Sequence, residues 1–320
     1  MSRPGWVRRR AHPLLGTVGL VLVAYAVGSA SVALLAPAIE ATGDALPGLA
    51  AAGAGGRELA EQALVWLPVV AVTVAYGALV AGLTPSRMGF QPAGAVADAV
   101  RGLALGALII AAPAAFGRLL GGYRPAADPA ADAAVIAALI VALAIAAFAE
   151  ELLMRGLLLR YWQDELGTCP ALVMTAGLFA ALHTGNPEVG WRGVVGILVA
   201  GLLLGVAFLR TGSLWLATGL HLGWNATTAL LLGLPVSGFT LPSSWRWRPE
   251  AGWEPWLGGR FGPEEGLVYQ AAAAATLTLL LLRPGRERRG LRASPPGDPP
   301  ANGCTGPRIP TTIEGRADDA

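Results

Sequence analysis

Six polar residues set into apolar stretches are the groups with which this chain could do chemistry. Glu150, Glu151 and Arg155 share one stretch, His183 sits in a second, and His221 and Asn225 share a third. A carboxylate and an imidazole can together hold and deprotonate a water, acting as general base. A second imidazole, with an amide one helical turn further on, can donate hydrogen bonds to the oxyanion formed when that water attacks a peptide carbonyl. Glu150, His183 and His221 could equally hold a divalent metal such as zinc, since one Glu and two His match a catalytic zinc ligand set. Both routes end in peptide hydrolysis, and the residue types leave them open.

Helix geometry divides the three clustered charges. Glu151 and Arg155 are four residues apart, one turn along the same face, with Glu on the N-terminal side, the better orientation for a pair. Glu150 lies about 100° around the helix from Glu151. The expectation is an internal ion pair, Glu151–Arg155, and a free carboxylate, Glu150. The alternative is a purely structural charge cluster, or charges that snorkel to the interface from a helix that ends early.

Other hydrolytic chemistries lack their residues. No H-E-x-x-H pair is present, and neither Ser213 nor Ser237 stands in a G-x-S-G context. The two cysteines, Cys169 and Cys304, make no disulfide framework, and Cys169 reads as a single loop thiol. A net charge of +2, with no basic stripe outside the termini, excludes a nucleic-acid partner.

The elements that must position these residues are membrane helices. The chain is 54% hydrophobic and 14% charged, against about 25% charged in soluble domains. Its fold class is therefore all-α, a polytopic membrane bundle of about eight spans. A basic N-terminus, 1–13, precedes leading spans within 14–132, at 14–36, 63–83 and 96–120. The stretch 133–233 holds four more, at 133–162, 170–183, 192–209 and 214–234, and every candidate site residue. A loop, 234–266, carries Trp245, Trp247, Trp253 and Trp256, a composition suited to the membrane interface. A last span, 267–282, leads into an Arg/Pro/Gly-rich tail, 283–320, expected to be disordered. Arginine bias places both termini in the cytoplasm, and the Arg-only, Ala/Gly-rich composition suggests a bacterial inner membrane. Arg118, Arg124 and Arg192 fall on the opposite side from that bias, so one span could be re-entrant.

Ionisable groups at membrane depth cost about 2.5–3.5 kcal/mol each on insertion scales, so they pair, face inward and serve function. With no water to satisfy them, polar side chains on different apolar helices find one another. Glu150, His183, His221 and Asn225 are therefore expected to share one buried site.

The segments EELLMR (150–155), FAALH (179–183) and HLGWN (221–225) resemble, in order, the E-E-x-x-x-R, F-x-x-x-H and H-x-x-x-N/D motifs of the CPBP intramembrane proteases. That family includes type II CAAX prenyl endopeptidases and bacteriocin-immunity proteins. The resemblance covers 133–233. It implies Glu150 as the water-activating glutamate with His183 as its partner, and His221 with Asn225 as the oxyanion-stabilising pair. Glu151 and Arg155 would support the site, and Phe179 would pack beside it. The family has been described with and without a metal, so the implied cofactor is one divalent ion or none. The implied activity is endoproteolysis of a membrane-associated protein or peptide, with the bilayer as the other partner. Two further readings are a non-catalytic membrane protein of the same fold, serving immunity or scaffolding, and a proton-coupled transporter.

Overall fold

The computed structural model describes residues 53–127, 131, 133–243 and 245–282, with isolated helical positions between 16 and 30. The basic leader, nearly all of the first expected span and the tail lie outside the described residues. Within them, nine α-helices follow in order: α1 Gly53–Leu79, α2 Ala95–Leu119, α3 Ala133–Glu151, α4 Arg160–Leu166, α5 Thr168–Leu182, α6 Trp191–Thr211, α7 Leu214–Ala226, α8 Glu254–Leu257 and α9 Leu267–Leu282. Four helical stretches are long and apolar enough to cross a membrane: Ala95–Leu119, Ala133–Leu166, Thr168–Gly185 and Trp191–Thr211. Trp66–Leu79 and Leu267–Leu282 are apolar but shorter. The expected count of eight is not reached by this measure.

Two features depart from simple helical spans. The stretch Leu152–Leu159 joins α3 to α4 as a π-helix, and Thr227–Leu231 continues α7 in the same form. The first begins directly after the Glu150–Glu151 pair, and the second two residues after Asn225. A π turn closes i→i+5 bonds and is found mostly at functional sites. All eight residues of Leu152–Leu159 are buried, the cation Arg155 among them.

The all-α expectation needs one correction. Tyr123–Ala127 (β1) and Trp245–Pro249 (β2) form a two-stranded antiparallel sheet, Tyr123 opposite Pro249 and Ala127 opposite Trp245. It ties the loop before α3 to the Trp-rich loop. Trp247 packs edge-on against Tyr123 at 5.6 Å, so this tryptophan is a packing residue, whereas Trp245 and Trp256 are exposed. Cys169 is not the lone thiol expected, being disulfide-bonded.

Among the described helices, α2 and α7 pack most closely. Gly102 and Gly106 on α2 face Gly219 and Gly223 on α7, so two G-x-x-x-G pairs meet. A Cβ on Gly106 would overlap the Leu220 carbonyl oxygen, and one on Gly219 the Ala99 carbonyl oxygen. Small residues at this spacing let membrane helices touch backbone to backbone, where van der Waals packing drives association. The contact also fixes rotation. At 100° per residue, His221 lies about 200° from Gly219. Gluing the glycine face to α2 therefore turns His221 away from α2.

Candidate active site

The pair Glu151–Arg155 is buried, at 0% and 1% side-chain exposure. Arg155 Nη1–H donates to Glu151 Oε1 at 2.8 Å, and Nη2–H donates to the Gly201 carbonyl of α6 at 2.9 Å. The guanidinium also lies 4.8 Å from the centre of the Phe179 ring. The buried cation is thus met by a carboxylate, a main-chain carbonyl and an aromatic face, while its Nε–H has no hydrogen-bond partner. All three are needed where water is excluded.

The same Glu151 oxygen has a second partner, His221 Nδ1, at 3.0 Å. A carboxylate accepts, so Nδ1 carries the proton in this contact. Glu151 thereby orients the imidazole, leaving Nε2 directed at Glu150 Oε2, 3.9 Å away. Glu150 is the more open carboxylate, 22% exposed, and its Oε2 has no hydrogen bond from the protein. The two adjacent glutamates therefore differ in kind: one is locked between Arg155 and His221, and the other is uncommitted.

His183 follows α5, at the start of the short 3₁₀ turn His183–Gly185. Its Nδ1 is 2.7 Å from the Phe179 carbonyl one turn back. A carbonyl only accepts, so Nδ1 donates and Nε2 keeps its lone pair. The Phe179 ring lies 4.6 Å from the His183 ring and 6.1 Å from that of His221. It is the hub against which both imidazoles and Arg155 rest.

Glu150, His183, His221 and Asn225 line one cavity of about 400 Å³. Its far wall is an apolar stripe on α3, Leu139, Ala142, Leu143 and Ala146, running at helical spacing up to Glu150. Val236, Phe239 and Leu241 close another side. A second chamber, of about 30 Å³, adjoins it and shares Phe179, His183, His221, Asn225 and Ser237.

Three lining residues with oxygen-bearing polar side chains were not singled out as site residues from sequence: Asn186, Ser237 and Glu264. Asn186 Nδ2–H donates to the Ser237 carbonyl at 3.0 Å, and the Ser237 N–H and Oγ–H each lie 3.2 Å from Glu264 Oε1. Glu264 sits in the polar loop GPEEG, where nothing in composition distinguishes it from a solvated charge.

Glu150, His183 and His221, the metal-ligand set considered from sequence, line the same cavity. Among the described residues, no three His, Cys, Asp or Glu side chains converge to hold an ion. His221 Nδ1 is engaged by Glu151 and His183 Nδ1 by a carbonyl, an arrangement that leaves both Nε2 atoms as the ones that would meet a metal or a water.

The family model of type II CAAX prenyl endopeptidase Rce1-like proteins matches residues 132–227. This stretch is similar to the CPBP-family membrane proteases. No curated protein and no solved structure matches the chain. The Rce1-like segment starts just before α3 and ends at Thr227, so it includes all seven motif residues, Glu150, Glu151, Arg155, Phe179, His183, His221 and Asn225. It excludes α2, the partner that sets the rotation of α7, and it excludes Ser237 and Glu264. A CAAX-protease-type hydrolase working in the membrane is the activity this family suggests.

Proposed function

We propose that the chain is an intramembrane endopeptidase that hydrolyses a peptide bond of a membrane-associated protein or peptide, with Glu150 activating the water. The observation carrying this reading is the division of labour between neighbouring glutamates. Glu151 Oε1 is shared by Arg155 and His221, while no hydrogen bond among the described residues engages Glu150, which lines a 400 Å³ cavity.

The steps use only this chain's groups. A water between Glu150 and His183 Nε2 gives a proton to Glu150 as its oxygen bonds to the scissile carbonyl carbon. The resulting oxyanion is met by the Asn225 amide, which no hydrogen bond among the described residues engages, and by His221 Nε2–H when that ring is protonated. Collapse breaks the C–N bond, and Glu150 returns the proton to the leaving amine. The Glu151–Arg155 pair holds His221 in place throughout, as a buried carboxylate orients a catalytic imidazole elsewhere. The apolar α3 stripe suits an apolar or lipid-modified segment next to the cleaved bond.

The test requires no known substrate. Wild type and Glu150→Ala are expressed at matched levels in a deletion strain, and membrane-protein termini are compared by mass spectrometry. Termini made by wild type and missing with the variant support the reading and identify substrates. Identical termini, with both proteins stably inserted, favour a non-catalytic membrane protein of the same fold.

A further inference from the structure

The Rce1-like segment does not complete the site. The 30 Å³ chamber behind His221 and Asn225 is closed by Glu264, which lies in the 3₁₀ turn Pro263–Glu265 between α8 and α9. Glu264 is 3% exposed. Its Oε1 accepts from Ser237, but Oε2 is buried and has no hydrogen bond of ordinary geometry. A buried carboxyl oxygen left in this way costs about 1–3 kcal/mol. Such a cost persists where something satisfies the atom. A polar chamber of this size accommodates one water, which needs about 10–15 Å³ and two to four polar partners. Glu264, Asn225, Ser237 and the two histidines supply them.

Ser237 is the second sign that this corner is built. It has φ of 47°, in the left-handed region that non-glycine residues seldom adopt. It is held there from both sides, its N–H and Oγ–H on Glu264 and its carbonyl on Asn186. Ser237 and Asn186 also line the main cavity, so the strained residue forms the wall between the two spaces.

We propose that Glu264 is a positioning residue of the active site: its carboxyl binds one water in the small chamber, and that water, with Ser237, fixes the Asn225 amide and the adjoining cavity wall. The kinetic part rests on the proteolytic reading above; the water site does not. Burial pushes the Glu264 carboxyl up to about 7, and hydrogen bonds from Ser237 and the nearby Trp224 offset only part of that rise. It is thus substantially protonated near neutral pH, and a carboxylic acid can donate to the water while still accepting from Ser237. The titratable groups facing it are His183 and His221 across the chamber and Tyr269 of α9. Neighbouring Glu265 is turned away, accepting from the Gly259 and Phe261 N–H groups. No guanidinium is among the residues lining the chamber.

Two measurements on the full chain in detergent test this. The first is infrared difference spectroscopy below neutral pH, taking wild type minus Glu264→Gln to isolate the protonated-carboxyl stretch of Glu264. Ala200→Val fills the chamber from α6 and leaves residue 264 a glutamate, and loss of the water's hydrogen bond must raise the frequency of that stretch. A stretch that Ala200→Val leaves in place overturns the water site, whatever the protein's activity. The second is cleavage of a peptide copied from a terminus that depends on Glu150. Glu264→Leu and Ala200→Val are expected to lower kcat roughly tenfold or more, as a misplaced catalytic group does, with KM within about twofold. Glu264→Gln, which keeps a donor and an acceptor, recovers most of that loss. A folded Ala200→Val or Glu264→Leu enzyme with wild-type kcat, or a Gln variant no better than Leu, overturns the positioning role.

Discussion

Replacing Arg155 by Met should uncouple the stability of the site from the apolar packing around it. The guanidinium is 1% exposed and makes a 2.8 Å bond to Glu151, a 2.9 Å bond to the Gly201 carbonyl and a 4.8 Å contact with the Phe179 ring. Removing it leaves Glu151 as a buried charge whose one remaining partner is His221. Breaking a buried pair from one side costs about 3–5 kcal/mol. At about 1.4 kcal/mol per decade, the folding equilibrium shifts by roughly a hundred- to several-thousand-fold. The double variant Glu151→Gln/Arg155→Met removes both charges and keeps a side-chain carbonyl to accept from His221 Nδ1. It should therefore recover most of the loss, because a buried pair replaced on both sides is often neutral. The assay is reversible denaturation in micelles, followed by tryptophan fluorescence, on wild type, both singles and the double. An Arg155→Met protein within about 1 kcal/mol of wild type, well short of the cost of an unpaired buried charge, would refute the reasoning. So would a double variant no more stable than the single.

Glu150→Gln should abolish cleavage while leaving the thermal midpoint within a degree or two, about what a surface change of 0.5 kcal/mol produces; a large drop in midpoint would make Glu150 structural. Gly106→Leu should push α2 off α7 and cost about 1–3 kcal/mol or more, as overpacking does, with activity falling as His221 and Asn225 lose their setting; unchanged stability would dismiss the backbone contact. Stability should also depend on pH through Glu264. Its native value is raised from 4.5 to about 7, so the folded state binds more protons than the unfolded one between these values. The contribution is full below 4.5 and is lost as pH rises to about 7. A difference of roughly 3 kcal/mol between wild type and Glu264→Gln should develop across that window; parallel pH curves for the two proteins would dispose of it.

Much of the site is visible in the primary structure because the membrane makes buried charge expensive. Glu150, Glu151, Arg155, His183 and His221 stand out against an apolar background, and period alone separates the two glutamates. The partner of His221 does not stand out in this way. Its contact with Glu151 joins helices 70 positions apart, and no local pattern encodes it. The G-x-x-x-G pairs are legible singly, but their meeting depends on tertiary choice. β1, YRPAA, lacks alternation, and β2, WRWRP, alternates Trp and Arg over only four residues, so their strand character comes from pairing with each other. The π segments keep a helical residue pattern, and the widened turn leaves no compositional mark. Glu264 is hidden because a carboxylate between Pro and Gly reads as a solvated turn until its burial is known.

The glycine contact between α2 and α7 also sets where the cavity can yield. Backbone against backbone leaves no side chain between those helices to rotate or compress, so the wall bearing His221 and Asn225 behaves as a fixed jaw. Adaptation to substrates of different girth must fall on the opposite jaw, where the α3 stripe and Val236–Leu241 meet through side chains that can change rotamer. On the proposed proteolytic reading, substrate breadth is therefore set by the apolar side, while the alignment of the reacting groups is carried by the stiff one.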